Sequence, residues 1–153
     1  MNSIEPQFKL LPPYLVKHHW PELSKIISRA DDNTATVDDI EDALDIDPLA
    51  YDIWVYLNSD NKIVYVSVCQ EVGRTYYVSR ICKSLDVEHT TNVDPEIIAE
   101  YHKRAKHLGK DSLMFSGGAF WEKRLEKLGF TIKEYIYEAP VLDEPDQLLK
   151  EVQ

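Results

Sequence analysis

The side chains that could carry nucleophilic or metal chemistry do not form a recognisable arrangement in this sequence. Cys82 could act as a nucleophile, but no histidine is paired with it locally, so we expect a packed thiol. His102 and His107 are five residues apart, a spacing that puts them on different faces of a helix. The chain also has no Cys-x-x-Cys and no His-x-x-x-His pair. The sequence therefore predicts no metal site.

A strongly acidic block is the most informative feature of the charge distribution. Ten acidic residues and no Lys or Arg occur between Asp31 and Asp60. A solvated helix face is one interpretation. The other is a docking surface for a basic protein partner, which acidic residues would attract over a distance. The residues that we expect to make this contact are three acids and two aromatic anchors, namely Asp38, Asp39, Asp42, Phe120 and Trp121.

Composition narrows the class of protein further. The 153 residues carry 17 Lys and Arg against 27 Asp and Glu, a net charge of −10, which repels phosphate backbones and anionic lipid. We therefore expect no nucleic-acid partner and no membrane partner. The sequence shows no membrane-spanning run or signal peptide, and Cys69 and Cys82 are expected to be free thiols, so a cytoplasmic location is predicted.

The pattern of apolar and turn residues predicts one domain at residues 1–140 and an acidic C-terminal tail at 141–153. Thr36 is a favourable N-cap, with Asp39 three residues later in an arrangement like a capping box. The order of elements indicates an α/β (α+β) fold with a mixed, mostly antiparallel sheet and helices on both faces. The predicted elements are helices at 21–30 and from 36 to before 48, a three-strand meander at 53–57, 62–72 and 75–85, a helix at 94–108, a strand at 112–115, a helix at 119–128 and a strand at 130–138.

The C-terminal part of the sequence contains a specific motif. Residues 121–130 read WEKRLEKLGF, a helix that ends in leucine and is followed by glycine, phenylalanine and a strand. Together with the order of helices and strands, this motif resembles the Gcn5-related N-acetyltransferase (GNAT) family, which has the acyl-CoA N-acyltransferase-like fold. The resemblance covers about residues 20–138. The chain is also similar to small GNAT-like proteins of tailed bacteriophages, some of which are virion or morphogenesis components.

The resemblance implies a cofactor site that this sequence does not reproduce. Family members bind the pyrophosphate of acetyl-CoA on backbone amides between the third meander strand and the long helix, with the pattern Gln/Arg-x-x-Gly-x-Gly/Ala. Glycine suits such a cradle because it lets several N–H groups converge on phosphate without a blocking side chain. The corresponding residues here, 86–94, contain no glycine and three carboxylates. In many relatives a tyrosine four residues before the glycine of the Gly-Phe pair is the general acid, and Leu125 stands there.

These departures lead to the prediction of a non-catalytic GNAT-like domain with no cofactor. It would act in protein–protein interaction or as a structural component, such as a phage virion or host-interaction protein in a bacterial cytoplasm. The alternative is an acetyl-CoA-dependent N-acetyltransferase that acts on an amine. In that alternative Arg74, Arg80 and Lys83 replace the missing amide contacts and Glu71 serves as the general base.

Overall fold

The computed structural model of the chain describes residues 6–28, 36–84, 94–116, 125–133 and 136–151. The chain divides into two compact units, the first formed by residues 1–70 and 80–90 and the second by residues 71–79 and 91–153. Two long strands, β3 (Ile63–Val72) and β4 (Thr75–Lys83), contribute residues to both units.

The first unit is an antiparallel sheet covered by helices. Its strand order is β1-β2-β3-β4, and β1 pairs with β2 from Gln7–Leu57 to Leu10–Trp54. Its core is formed by apolar side chains of the helices and of the strands that face them, including Leu23, Ile40 and Val66. Besides β3 and β4, the elements of this unit are β1 (Gln7–Leu10), α1 (Pro13–His18), α2 (Trp20–Ile27), α3 (Val37–Ile46) and β2 (Asp52–Leu57).

The second unit contains the crossover that makes the sheet mixed. Its strand order is β4-β5-β7-β6, in which β4 and β5 are parallel and the other neighbours antiparallel. The long helix α4 lies between β4 and β5 in the chain, as a parallel connection requires. The remaining elements are α4 (Asp94–His107), β5 (Ser112–Ser116), β6 (Thr131–Lys133), β7 (Ile136–Pro140), a 3-10 helix (Pro145–Gln147) and α5 (Leu148–Glu151).

The meander, the long helix and the mixed sheet agree with the sequence prediction, which confirms the fold class. Two elements at the start, β1 and α1, were not predicted. β1 has only four residues, and two consecutive prolines at 12 and 13 are typical of a loop, although Pro13 begins a helix.

The last strand was predicted as one strand at 130–138. The structure has two strands there, β6 and β7, which pair antiparallel to each other from Thr131–Glu138 to Lys133–Ile136. Most of the predicted helix at 119–128 lies outside the described residues.

The acidic segment after β7 contains short helices. Pro145 and Leu148 are buried, and the 3-10 helix and α5 both pack against α4. An ion pair of 3.0 Å between Lys103 Nζ and Asp146 Oδ1 joins the same elements. The described part of the predicted tail is thus held on the second unit.

The predicted capping box at the start of α3 is confirmed. The Thr36 Oγ1 accepts a hydrogen bond of 3.3 Å from the Asp39 N–H, and Asp39 Oδ2 accepts one of 2.9 Å from the Thr36 N–H. Replacing Thr36 by alanine removes an acceptor for an orphan amide, so we expect the free energy of unfolding to fall by about 1 kcal/mol. Urea denaturation measures this change. Thr36→Ser keeps the hydroxyl, so its free energy of unfolding should fall by less than half as much. An equal fall in the two variants would contradict the capping role of the Thr36 hydroxyl.

Candidate functional site

The connection from β4 to α4 is where the sequence resemblance places the cofactor. β4 ends at Lys83 and α4 begins at Asp94, and residues 86–93 of the predicted cradle lie outside the described residues. The end of the strand is firmly held, because Ser84 is buried and its N–H donates a hydrogen bond of 2.8 Å to the Val64 carbonyl. α4 is fourteen residues long, so its N-terminal end carries the positive partial charge of the helix dipole.

The three cations predicted to hold the cofactor occupy different surroundings. Lys83 is exposed at the last position of β4, next to the connection. Arg80 lies on the buried row of β4, is only 7% exposed, and already has an interaction partner within the structure. Arg74 precedes the first residue of β4, at the other end of the strand. Of the three, Lys83 is the exposed cation at the end of β4, and the role of all three in holding a cofactor stays a prediction.

Arg74 belongs to a hairpin that is tied to the start of β5. Its Nη2 donates a hydrogen bond of 2.9 Å to Asp111 Oδ1, and its Nε makes a second contact with the same carboxylate. The Arg74 hydrogen bond, followed by its charge, holds the pKa of the Asp111 carboxyl below its usual range. Both side chains are largely exposed, so the pair fixes local geometry and adds little stability.

Glu71, the predicted general base, lies at the same hairpin. Its Oε1 accepts an ion-pair contact of 2.9 Å from Lys110 Nζ, which also donates a hydrogen bond of 2.9 Å to the Gly73 carbonyl. Gly73 has a φ of +58°, the left-handed conformation that the two-residue turn requires. The Glu71 carboxylate thus has a structural partner, and its role as a base stays a prediction.

The Leu-Gly-Phe segment that carried the resemblance forms a closed helix end. The Phe130 N–H donates a hydrogen bond of 3.1 Å to the Leu125 carbonyl, and the Gly129 N–H donates one of 3.1 Å to the Glu126 carbonyl. These two bonds, with a Gly129 φ of +90°, are a Schellman motif. The Leu125 side chain is fully buried and has no proton to give, so the structure provides no general acid at this position.

The predicted interaction residues are only partly described. Asp38 and Asp42 are exposed and one turn apart on α3, whereas the Asp39 carboxylate is engaged by the cap at Thr36. Phe120 and Trp121 lie outside the described residues.

Sequence reasoning missed a fully buried histidine in α4. His102 is 0% exposed, and its Nδ1 accepts a hydrogen bond of 3.4 Å from the Leu142 N–H. No described group lies within hydrogen-bond reach of its Nε2. Burial lowers the pKa of His102 to about 4, so the ring is neutral at pH 7. Its position four residues after Ile98, which belongs to the apolar stripe, was the available signal.

Cys69 and Cys82 are both buried and form no disulfide, which confirms the prediction that the two thiols are not linked to each other. Within the described ranges, no three His, Cys, Asp or Glu side chains are arranged to hold a metal ion. No helix in the described part of the chain has the length and apolar character needed to cross a membrane.

Comparison of the sequence with family models and with curated proteins finds no match. Comparison of the structure finds many. The crystal structure of the NatC complex bound to Gag peptide and CoA contains a chain with a TM-score of 0.68 and 12% identity, which covers 91% of this chain and 100% of that one. The ribosomal-protein-S18-alanine N-acetyltransferase from Escherichia coli has a TM-score of 0.66 and 13% identity, and the coverage is 89% and 94%. Spermidine N-acetyltransferase from Vibrio cholerae, with CoA and spermine, has a TM-score of 0.65 and 9% identity, and the coverage is 92% and 98%.

These structures correct one prediction and leave another as it was. The expectation of no cofactor is contradicted, because the NatC, Vibrio cholerae and Thermoplasma acidophilum N-acetyltransferase structures that share this fold were determined with CoA. The error arose from treating a glycine-rich loop as the one way to present amides to a diphosphate. The similarity to phage proteins stays a prediction. The shared order of strands and helices, matched over about nine-tenths of the chain, shows that this protein has the GNAT fold.

Proposed function

We propose that this protein is an N-acetyltransferase that uses acetyl-CoA to acetylate an amine. The observation that carries the proposal is the fold match itself, which extends over 89–92% of the chain to N-acetyltransferases, some determined with CoA. The reaction forms an amide bond between the amine nitrogen and the acetyl carbon and breaks the thioester C–S bond. The proton that the amine loses ends on the thiol that is released.

Lys83 is the described residue that best fits an anionic cofactor. It is an exposed cation at the last position of β4, the strand that leads into the predicted cradle. The acidic groups in residues 86–94 act against this attraction. We therefore expect binding that is weaker than a glycine-rich cradle would give and that depends strongly on Lys83.

Thermal unfolding in the presence of acetyl-CoA tests the binding step. Ligand at 100 times its dissociation constant stabilises a protein by about 2.7 kcal/mol, which corresponds to a rise in Tm of roughly 5–10 °C for a chain of this size. Sodium sulfate at the same ionic strength is the control for a general anion effect. Lys83→Ala should weaken acetyl-CoA binding about tenfold, whereas Lys62→Ala, which removes an exposed lysine from the β2–β3 turn, should not.

Release of the CoA thiol with a panel of amines, including a polyamine and free peptide N-termini, tests the chemical step. If Glu71 is the base, Glu71→Gln should lower kcat by 100-fold or more, while Lys110→Gln, which breaks the same ion pair, should leave kcat unchanged. Equal effects of the two variants would assign Glu71 a structural role alone. Binding of acetyl-CoA without thiol release on any amine would overturn the transferase proposal in favour of a non-catalytic domain.

A further inference from the structure

A cavity of about 440 Å³ opens between the helices of the first unit. α1 and the start of α2 contribute Tyr14 and Trp20 to its lining, and α3 and the turn after it contribute Leu44 and Pro48. Its volume is within the range of pockets that take a small ligand or one or two large side chains, roughly 300–1,000 Å³. The lining is mainly apolar and includes two aromatic rings.

The apolar surface at this cavity is unusually open to solvent. Tyr14 lines the cavity and is nevertheless 72% exposed. Ile46 and Leu49, which are within two residues of Pro48 in the chain but do not line the cavity, are 87% and 70% exposed. Single exposed apolar residues are common on proteins, but large apolar side chains concentrated at a concave surface are typical of an interaction site.

The charge at the cavity is predominantly negative. Glu41 and Asp45, one turn apart on α3, belong to its lining, and Lys17 is the one cation among the described lining residues. α3 itself carries five acidic residues and no Lys or Arg. Any segment that places an apolar side chain in the cavity therefore meets a local field that favours positive charge.

Asp45 stands where helix electrostatics disfavour it. It occupies the last turn of α3, where the partial charge of the helix dipole is negative and the turn itself contains no basic residue. Asp47 continues the acidic run at the C-cap. Carboxylates at this helix end weaken α3, and a cationic ligand at the cavity would remove that repulsion.

We propose that this groove, formed by Tyr14, Trp20, Glu41, Leu44, Asp45 and Pro48, docks a peptide segment of a partner protein. The segment presents an aromatic or branched aliphatic side chain to the apolar lining, with Lys or Arg within one or two residues of it to face Glu41 and Asp45. The proposal does not depend on acyl transfer, because it uses none of the residues assigned to that chemistry.

The experiment uses the full chain and a library of random twelve-residue peptides displayed on yeast. Selection should enrich peptides in which Lys or Arg adjoins Phe, Trp, Leu or Ile. A synthetic copy of an enriched peptide should shift the indole N–H resonance of Trp20 in a two-dimensional NMR spectrum. Its affinity should fall at least tenfold between 50 and 300 mM salt, because the exposed charges are screened.

Two double variants with the same change of charge separate a local site from general attraction. Glu41→Gln with Asp45→Asn should weaken binding at least tenfold, whereas Asp38→Asn with Asp42→Asn, on the same helix and outside the groove lining, should weaken it less than threefold. Tyr14→Ala should also weaken it at least tenfold, with an unchanged circular dichroism spectrum. The proposal would be overturned by equal effects of the two double variants, by enrichment of peptides without cations, or by no enrichment.

A second copy of the chain is the other occupant that the experiment can reveal. If the chain alone forms a dimer that Tyr14→Ala dissociates, the proposal is overturned in favour of that second copy.

Discussion

Replacing Ile40 by alanine is expected to lower the free energy of unfolding by about 3 kcal/mol. Ile40 is 1% exposed and belongs to the core of the first unit. It is the one fully buried side chain of α3, a helix described along its whole length. Truncating a buried isoleucine removes its transfer free energy and leaves a cavity, which together typically cost 2–5 kcal/mol. Because the acidic side chains of α3 repel one another, the packing of α3 on the core depends strongly on the Ile40 side chain.

The same helix supplies a matched control. Ile46 is 87% exposed. Ile46→Ala deletes the same side-chain atoms as Ile40→Ala, but from a position in contact with solvent, so the free energy of unfolding should change by less than about 0.5 kcal/mol. Urea denaturation followed by tryptophan fluorescence suits the measurement, because Trp20 and Trp54 belong to the same unit as α3. Similar losses in the two variants would show that α3 is not packed through Ile40.

α3 also shows how much local structure the sequence contains. Its cap at Thr36 and its apolar positions are short-range features, since a capping box and a 3.6-residue period are complete within a few residues. The meander was predictable for the same reason, because β-branched runs and the turns that separate them are local signals. β1 was not predictable, because four residues gain strand character only from pairing with β2.

The candidate site was less predictable than the fold. The acidic, glycine-free residues 86–94 led to the prediction of no cofactor, yet any residue with an accessible N–H can contribute to an amide cradle. Whether backbone amides converge is a property of chain path, which side-chain identity does not fix. Glu71 was chosen because the third meander strand carries no glutamate and Glu71 is on the neighbouring strand. Its partner Lys110 comes from the α4–β5 connection, which the sequence did not place beside it.

The groove between α1, α2 and α3 illustrates the same limit. The sequence identified the acidic block and selected Asp38, Asp39 and Asp42 from it. That selection stays a prediction, and the structure adds that Glu41 and Asp45 line an apolar cavity. Charge was visible in the sequence, whereas concavity arises from the packing of three helices.

Acidification is expected to destabilise the protein through His102. In the folded state the pKa of this ring is about 4, against 6.5 in the unfolded chain, because burial disfavours the charged form. As the pH falls below 6.5, the unfolded chain binds a proton that the folded chain does not, so stability falls. The loss is about 2 kcal/mol by pH 5 and about 3 kcal/mol by pH 4, where the folded state begins to bind the proton as well.

The His102 contribution can be separated from that of the carboxylates by substitution. His102→Asn keeps an acceptor where Nδ1 receives the Leu142 N–H but does not titrate, so the variant should lose about 2 kcal/mol less than the parent between pH 8 and pH 5. His107→Asn, at an exposed position of the same helix, should lose as much stability between pH 8 and pH 5 as the parent.

The measurements are urea denaturation followed by circular dichroism and the His102 titration followed by NMR. A His102 pKa near 6.5, or parallel losses in the parent and His102→Asn, would contradict the buried, neutral ring. Because protonation would turn Nδ1 into a donor facing the Leu142 N–H, the protection of amides in residues 141–151 against hydrogen exchange, relative to the intrinsic rate at each pH, should fall first on acidification.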